Sequence, residues 1–313
     1  SKESISVFTP NLTKVPNFIE FFGYALCPAT CIFGPWIKYS DYQKIFDHPR
    51  WDVVWGLKII STLFLAFLLF SVSTCWIPWW IQNDNWTWMA AYRDAMSFRG
   101  SHYFVSYVAE ASAIAGGFGY VADKDDWDGM IVVEPMKIDA PRSLLQVAVS
   151  WNIPMHSWLK TYCFLPTLRR FGHPVAIIAT FVASVLLHGM SLRFGVVLLS
   201  LAIYAYIEQK LRDRLAQTFN ASITARKPKP NTGIVYRHKE EDILAMLLNL
   251  AFGLLAFFHL VYLGSMIGRK WRIPENGNSL KHIVGRWKSL NFLSHRLAFF
   301  EIVVTFLAYD YDL

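Results

Sequence analysis

The sequence predicts an all-α fold: a polytopic bundle of transmembrane helices in which some segments are kinked or re-entrant. Three observations carry that prediction. Of 313 residues, 54% are hydrophobic and only 17% are charged, whereas a soluble globule carries about a quarter charged. Several apolar runs reach the roughly twenty residues needed to cross a hydrocarbon core, where a run of that length satisfies its backbone groups internally as a helix. Finally, many of the 13 Trp and 14 Tyr stand near the ends of those runs, as residues of interfacial aromatic belts do.

Taken in order, residues 1–16 are polar and read as irregular. Residues 18–37 form the first apolar run, broken by Phe33-Gly34-Pro35-Trp36, which predicts a kink or re-entrant turn that protein must bury. A mixed-charge loop over 38–52 leads into the second span, 53–81, long enough to tilt and ending in Trp76-Ile77-Pro78-Trp79-Trp80. Residues 86–99 read as an amphipathic surface helix and 100–122 as a weaker third span. That third span carries His102, Glu110 and many small residues that permit close helix approach. Glu110 is expected either as a buried polar partner or in the wall of a wet cavity.

An acidic loop over 123–141 precedes the mixed segment 142–162, in which Pro154 is expected to break a helix just after Asn152. Two apolar runs follow, 174–190 and 194–207, joined by a tight turn at Ser191-Leu192-Arg193. Residues 208–241 read as a long basic connection, placed in the cytosol by the positive-inside rule. Residues 243–267 form a span containing His259, 268–288 are again basic, and 292–309 form the last run. Two basic connections on either side of one span conflict with a single crossing, so 243–267 either re-enters or departs from the rule.

The net charge of +7 sits in loops between apolar runs, where it sets topology and meets anionic lipid rather than nucleic acid. The four Cys have no zinc-type spacing and read as packing thiols, and the nine scattered His offer no metal site. Phosphate-loop, metalloprotease and nucleophile-elbow motifs are lacking. Asn11, Asn85 and Asn220 begin glycosylation sequons whose use depends on topology.

The segment from Ser150 to His188 stands apart. It holds Trp151-Asn152-Ile153-Pro154 at a predicted helix break, then an uncharged run that ends in an imidazole at Leu187-His188-Gly189. An ionisable residue on such a run marks a functional site, the alternative being a neutral His hydrogen-bonded to a neighbouring helix. With no internal nucleophile nearby, a His base and an Asn positioner suit direct transfer from a lipid-like donor. From the residues alone, that is a membrane-embedded transferase; a channel or transporter with His188 and Glu110 on a polar path is the non-enzyme alternative.

At Ser150-Trp151-Asn152-Ile153-Pro154-Met155 and Leu186-Leu187-His188-Gly189 the chain resembles the membrane-bound O-acyltransferase family. Supporting stretches are Ile32-Phe33-Gly34-Pro35-Trp36, Ser106-Tyr107-Val108-Ala109-Glu110-Ala111, Pro141-Arg142-Ser143 and Phe258-His259-Leu260-Val261-Tyr262, in the family's order along nearly the whole chain. The resemblance implies one membrane domain over residues 1–313, a C-terminal portion of the longer family architecture without its N-terminal helices. It implies transfer of a palmitoleoyl group from palmitoleoyl-CoA, a donor substrate and not a bound cofactor, to a serine hydroxyl of Wnt proteins. The setting implied is a multi-pass protein of the endoplasmic reticulum membrane. His188 is implied as the general base and Asn152 as the group that positions substrate or steadies the oxyanion. Trp151, Tyr162 and Ser184 are expected along the substrate tunnel by their proximity in sequence. A sister acyltransferase acting on another protein or a lipid shares these features.

Overall fold

A computed structural model of the chain describes residues 15–32, 34–47, 51–82, 86–189, 191–227, 236–267 and 279–310. Residues 1–14, the sequon asparagines Asn11 and Asn85, Phe33, and the stretches 228–235 and 268–278 lie outside the described residues. The chain forms two compact units. The first comprises Ser1–Ser71, Ser101–Val133 and Asn152–Thr180; the second comprises Val72–Gly100, Glu134–Trp151 and Phe181–Leu313.

The helices, in chain order, are α1 Phe18–Ala25, α2 Pro28–Cys31, α3 Tyr39–Asp47, α4 Val53–Ser71, α5 Ile77–Trp80, α6 Thr87–Ala115, α7 Pro135–Asp139 and α8 Leu144–Ser150. They continue with α9 Ile153–Leu159, α10 Leu165–Phe171, α11 His173–Leu187, α12 Leu192–Thr218, α13 Ile243–Gly264, α14 Ser279–Ser289 and α15 Leu293–Asp310. Among the described residues, Val53–Trp80, Leu192–Thr218 and Ile243–Gly264 are long and apolar enough to cross a membrane. Helices α14 and α15 qualify as a fourth span only when taken together, across a 77° bend.

The helical, multi-span class is as expected, and several boundaries are not. The first apolar run does not form one span: α1 and α2 are 8 and 4 residues long. Asn17 and Glu20 cap α1 reciprocally, and the chain then turns through a buried Pro35 and Ile37. The surface helix expected at 86–99 and the span expected at 100–122 are one 29-residue helix, α6. Its first half is no surface element, because Ala91, Arg93, Asp94 and Arg99 are buried.

The stretch 208–241, read as a loop because of its charges, begins as the last three turns of α12. Glu208 and Arg212 stand four apart on the buried face, where opposite charges at that spacing support a helix. The small turn beyond α12 holds the third sequon. There Asn220 accepts from the Arg237 amide at 3.2 Å, and Ser222 is buried.

Two prolines explain the two wide, π-helical turns, Val72–Trp76 and Lys160–Phe164. Proline lacks an N–H and its ring collides with the carbonyl four residues earlier. Pro78 and Pro166 each follow a π segment by two residues, so the carbonyl each one displaces belongs to the segment's middle residue, Thr74 or Tyr162. One extra residue in the turn relieves the collision.

The first unit packs Ile37, Ala113 and Phe118 as a small core. Trp55 Nε1 donates to the Ile114 carbonyl at 2.7 Å, and Ser112 Oγ donates to the Ala29 carbonyl at 3.0 Å. Gly116 belongs there because an added Cβ would come within 2.4 Å of the Ala29 side chain. Glu110, buried on α6, accepts the Val132 amide at 3.1 Å, so of its two expected settings the buried polar partner is the observed one.

In the second unit, α12 lies against α8, α13, α14 and α15. Ser143 caps α8, and the buried carboxylate of Glu208 accepts the Leu144 amide at 2.8 Å. Arg142 holds the following loop by donating to the Thr224 and Ser222 carbonyls and pairing with Glu240 at 2.7 Å.

Candidate functional site

Helix α11 is built to deliver His188. It starts at His173, behind the basic pair Arg169-Arg170, and its 15 residues carry no charge beyond that first imidazole. At 1.5 Å per residue it is about 22 Å long, short of a hydrocarbon core about 30 Å thick. Such a helix is too short to cross that core alone.

Gly189 performs the stop. Its φ of +79° is left-handed, a conformation that costs any L side chain about 1–2 kcal/mol and that commonly closes helices. The Gly189 amide bonds back to the Leu186 carbonyl at 3.1 Å, and the His188 amide is shared between the Ser184 and Val185 carbonyls at 3.2 Å each. The Leu187-His188-Gly189 sequence thus places an imidazole at the open end of the helix rather than along its side.

The His188 side chain is exposed. Its ring stacks on Phe194 of α12 at 5.5 Å and 6°, which orients the plane, and both ring nitrogens lack a hydrogen-bond partner among the described residues. A neutral imidazole so placed has one nitrogen available to accept a proton, which is the requirement for a general base. Ser184 lies one turn below and contributes its carbonyl to the His188 amide; its side chain is half-buried.

Asn152 sits at the predicted break, between α8 and α9. It is the N-cap of α9: the backbone is extended, Oδ1 accepts the Met155 amide at 3.0 Å, and Pro154 lies in the first turn. Asn at the cap and Pro just inside are what a helix start favours. The next residue is also tied down, since the Ile153 amide donates to the Val132 carbonyl at 2.9 Å. With Oδ1 engaged, the chemistry left to Asn152 is donation from Nδ2, which has no acceptor among the described residues. A fixed amide donor suits a carbonyl oxygen that gains negative charge.

Of the other expected residues, Trp151 closes α8 and stacks on Phe98 at 6.0 Å. Tyr162 occupies the middle of the second π-helical turn, between Trp36 at 5.8 Å and Trp158 at 5.6 Å, with over half its surface exposed. Asn152 and Tyr162 belong to the first unit, and Trp151, Ser184 and His188 to the second. No group of three His, Cys, Asp or Glu side chains able to hold a metal occurs among the described residues.

Comparison with known proteins decides the family. The profile of the membrane-bound O-acyltransferase (MBOAT) family matches residues 5–231. The chain belongs to this family. The match takes in both Asn152 and His188. Among curated relatives, the protein-serine O-palmitoleoyltransferase porcupine of Anopheles gambiae is 33% identical over 310 residues, which is 92% of this chain and 62% of the relative. The porcupine proteins of Mus musculus and Homo sapiens are 36% and 35% identical over 308 residues, 91% of this chain and 66% of each relative. The chain therefore spans a little under two thirds of the length of these relatives.

What sequence reasoning missed in this MBOAT chain is an internal polar cluster: Tyr204, Glu208 and Arg212 of α12 with His259 of α13 and Glu301 of α15, all buried. The available signal was the four-residue spacing of Tyr204, Glu208 and Arg212, which places them on one helix face.

Proposed function

We propose that this MBOAT chain is a protein-serine O-acyltransferase that moves a palmitoleoyl group from palmitoleoyl-CoA to a serine hydroxyl of Wnt proteins in the endoplasmic reticulum membrane. One observation carries the reading: relatives of three animals, each 33–36% identical over more than nine tenths of this chain, bear the name protein-serine O-palmitoleoyltransferase. Residues 1–313 act as one catalytic membrane domain in this reading.

His188 takes the proton of the acceptor serine as its oxygen attacks the thioester carbonyl. The carbon–sulfur bond breaks, and the departing CoA thiolate recovers the proton from the imidazolium. Asn152 Nδ2 donates to the carbonyl oxygen while it carries negative charge. Trp151, Tyr162 and Ser184 line the path of acyl chain or peptide. The exposed imidazole at the end of α11 and the uncommitted amide donor of Asn152 support these roles. No covalent acyl-enzyme is involved.

The test is to supply membranes containing the protein with labelled palmitoleoyl-CoA and a panel of acceptors: a Wnt-derived serine peptide, its alanine counterpart, a sterol and a lysophospholipid. Label is expected on the serine peptide alone. Label on the sterol or lysophospholipid instead overturns the acceptor assignment and leaves a sister acyltransferase.

A further inference from the structure

Tyr204, Glu208 and Arg212 follow one another at four-residue intervals on α12 and are 3%, 3% and 0% exposed. His259 of α13 and Glu301 of α15 complete the cluster at 1% and 4%. The Tyr204 ring lies 4.8 Å from that of His259. His259 Nε2 stands 4.0 Å from Glu301 Oε1, and Arg212 Nε stands 3.7 Å from Glu208 Oε1.

Several atoms of this cluster are satisfied directly. Glu208 Oε2 takes the Leu144 amide, Arg212 Nη2 reaches the Arg142 carbonyl and Asn249, and His259 Nδ1 pairs with Ser294 Oγ at 3.0 Å. Seven other atoms have no hydrogen-bond partner among the described residues: Tyr204 Oη, Glu208 Oε1, Arg212 Nε and Nη1, His259 Nε2 and both oxygens of Glu301. Native proteins leave few buried polar atoms unsatisfied. Separations of 3.7 and 4.0 Å exceed a direct hydrogen bond, yet a single oxygen atom can reach both members of each pair.

We propose that this seam is a built internal hydration site, in which ordered water bridges His259 to Glu301 and Glu208 to Arg212 and takes up the Tyr204 hydroxyl. A buried water makes about three hydrogen bonds, so seven open atoms call for about two or three waters. The ligand is water rather than a larger polar molecule, because Tyr204 packs directly on the rings of both His259 and His295, at 4.8 and 5.8 Å. Helices α12, α13 and α15 are then joined through solvent at this level, with each carboxylate kept in a polar setting inside an apolar bundle. The site is independent of acyl transfer and uses none of the residues assigned to it.

Radiolytic hydroxyl-radical labelling tests this, because bound internal water generates radicals beside side chains that bulk solvent does not reach. The full chain in lipid nanodiscs is pulsed with X-rays, and ring hydroxylation of Tyr204 is compared with that of Tyr103, which is equally buried at 2% exposed. Tyr204 is expected to label several-fold faster than Tyr103, and to fall to the Tyr103 rate in a folded Glu301→Leu variant. Equal rates in the unsubstituted protein overturn the proposal, and that comparison stands even if the variant does not fold. A Tyr204 rate unchanged in a folded Glu301→Leu variant overturns it as well.

Discussion

His188 and His259 both lie on strongly apolar helices of the second unit, and their surroundings differ in every respect that matters to chemistry. His259 is 1% exposed, bonded to Ser294 and faced by Glu301. His188 is exposed at a helix end, oriented by stacking on Phe194 and anchored through its backbone amide. A histidine sealed inside the bundle and bonded to a neighbouring helix stabilises the fold; one exposed at a helix end is placed where it can exchange a proton with a substrate. A histidine on an apolar helix therefore does not identify a base by itself. The left-handed Gly189 behind His188 sets the two settings apart, because it ends the helix at the imidazole.

The sharpest way to break this contrast is to remove each ring in turn. His188→Ala is expected to lower acyl transfer by about 10²–10⁴-fold, the usual contribution of a general base, with the thermal midpoint barely moved. His259→Ala is expected to do the opposite. It strands Ser294 in the bundle and costs about 1–3 kcal/mol of stability, seen as a lower unfolding temperature, while protein that remains folded keeps its rate. Equal losses of activity without loss of stability in both variants would erase the distinction.

Gly189→Ala keeps the imidazole and strains the turn that presents it, at a cost of about 1–2 kcal/mol. The expected result is a reduced transfer rate with helix content unchanged by circular dichroism. Asn152 can be tested for two roles at once. Asn152→Ala removes the α9 cap, about 1 kcal/mol, and the donor together. Asn152→Asp preserves the cap acceptor and replaces the amide donor with an acceptor, so stability is expected to recover while transfer stays low.

The smallest effect is in the loop that Arg142 holds. Burial pushes the Glu240 carboxyl up, but the hydrogen bond from Lys227 and the charge of Arg142 outweigh it and hold the group below its ordinary value. Such a group stabilises the fold above its unfolded-state pKa, and the contribution is lost as pH falls through the lower folded-state value. Unfolding temperature measured between neutral and acid pH should therefore fall less steeply for Glu240→Gln than for the unsubstituted protein.

The helical membrane class was legible because apolar runs of spanning length have few other solutions. The break at Asn152 was legible from Pro154, and the helix leading to His188 from its uncharged run. The errors have a common cause: polar and charged residues were read as solvated. Arg93, Asp94 and Arg99 on α6, and Glu208 and Arg212 on α12, are buried and mutually or locally compensated. Hydropathy alone does not separate a buried charge from an exposed one. In the first apolar run the break at Gly34-Pro35 was legible from those residues, whereas the earlier one before Pro28, which leaves helices of only 8 and 4 residues, was not.

The central claim is that His188 is the base for the transfer of a fatty acyl group to a serine hydroxyl. The most direct measurement incubates the full chain in nanodiscs with palmitoleoyl-CoA and a Wnt-derived serine peptide, and quantifies acyl-peptide by mass spectrometry. The account predicts acylated product from the unsubstituted protein, none from the alanine form of the peptide, and almost none from His188→Ala at equal folded concentration. Acylated peptide from His188→Ala at close to the unsubstituted rate would contradict it.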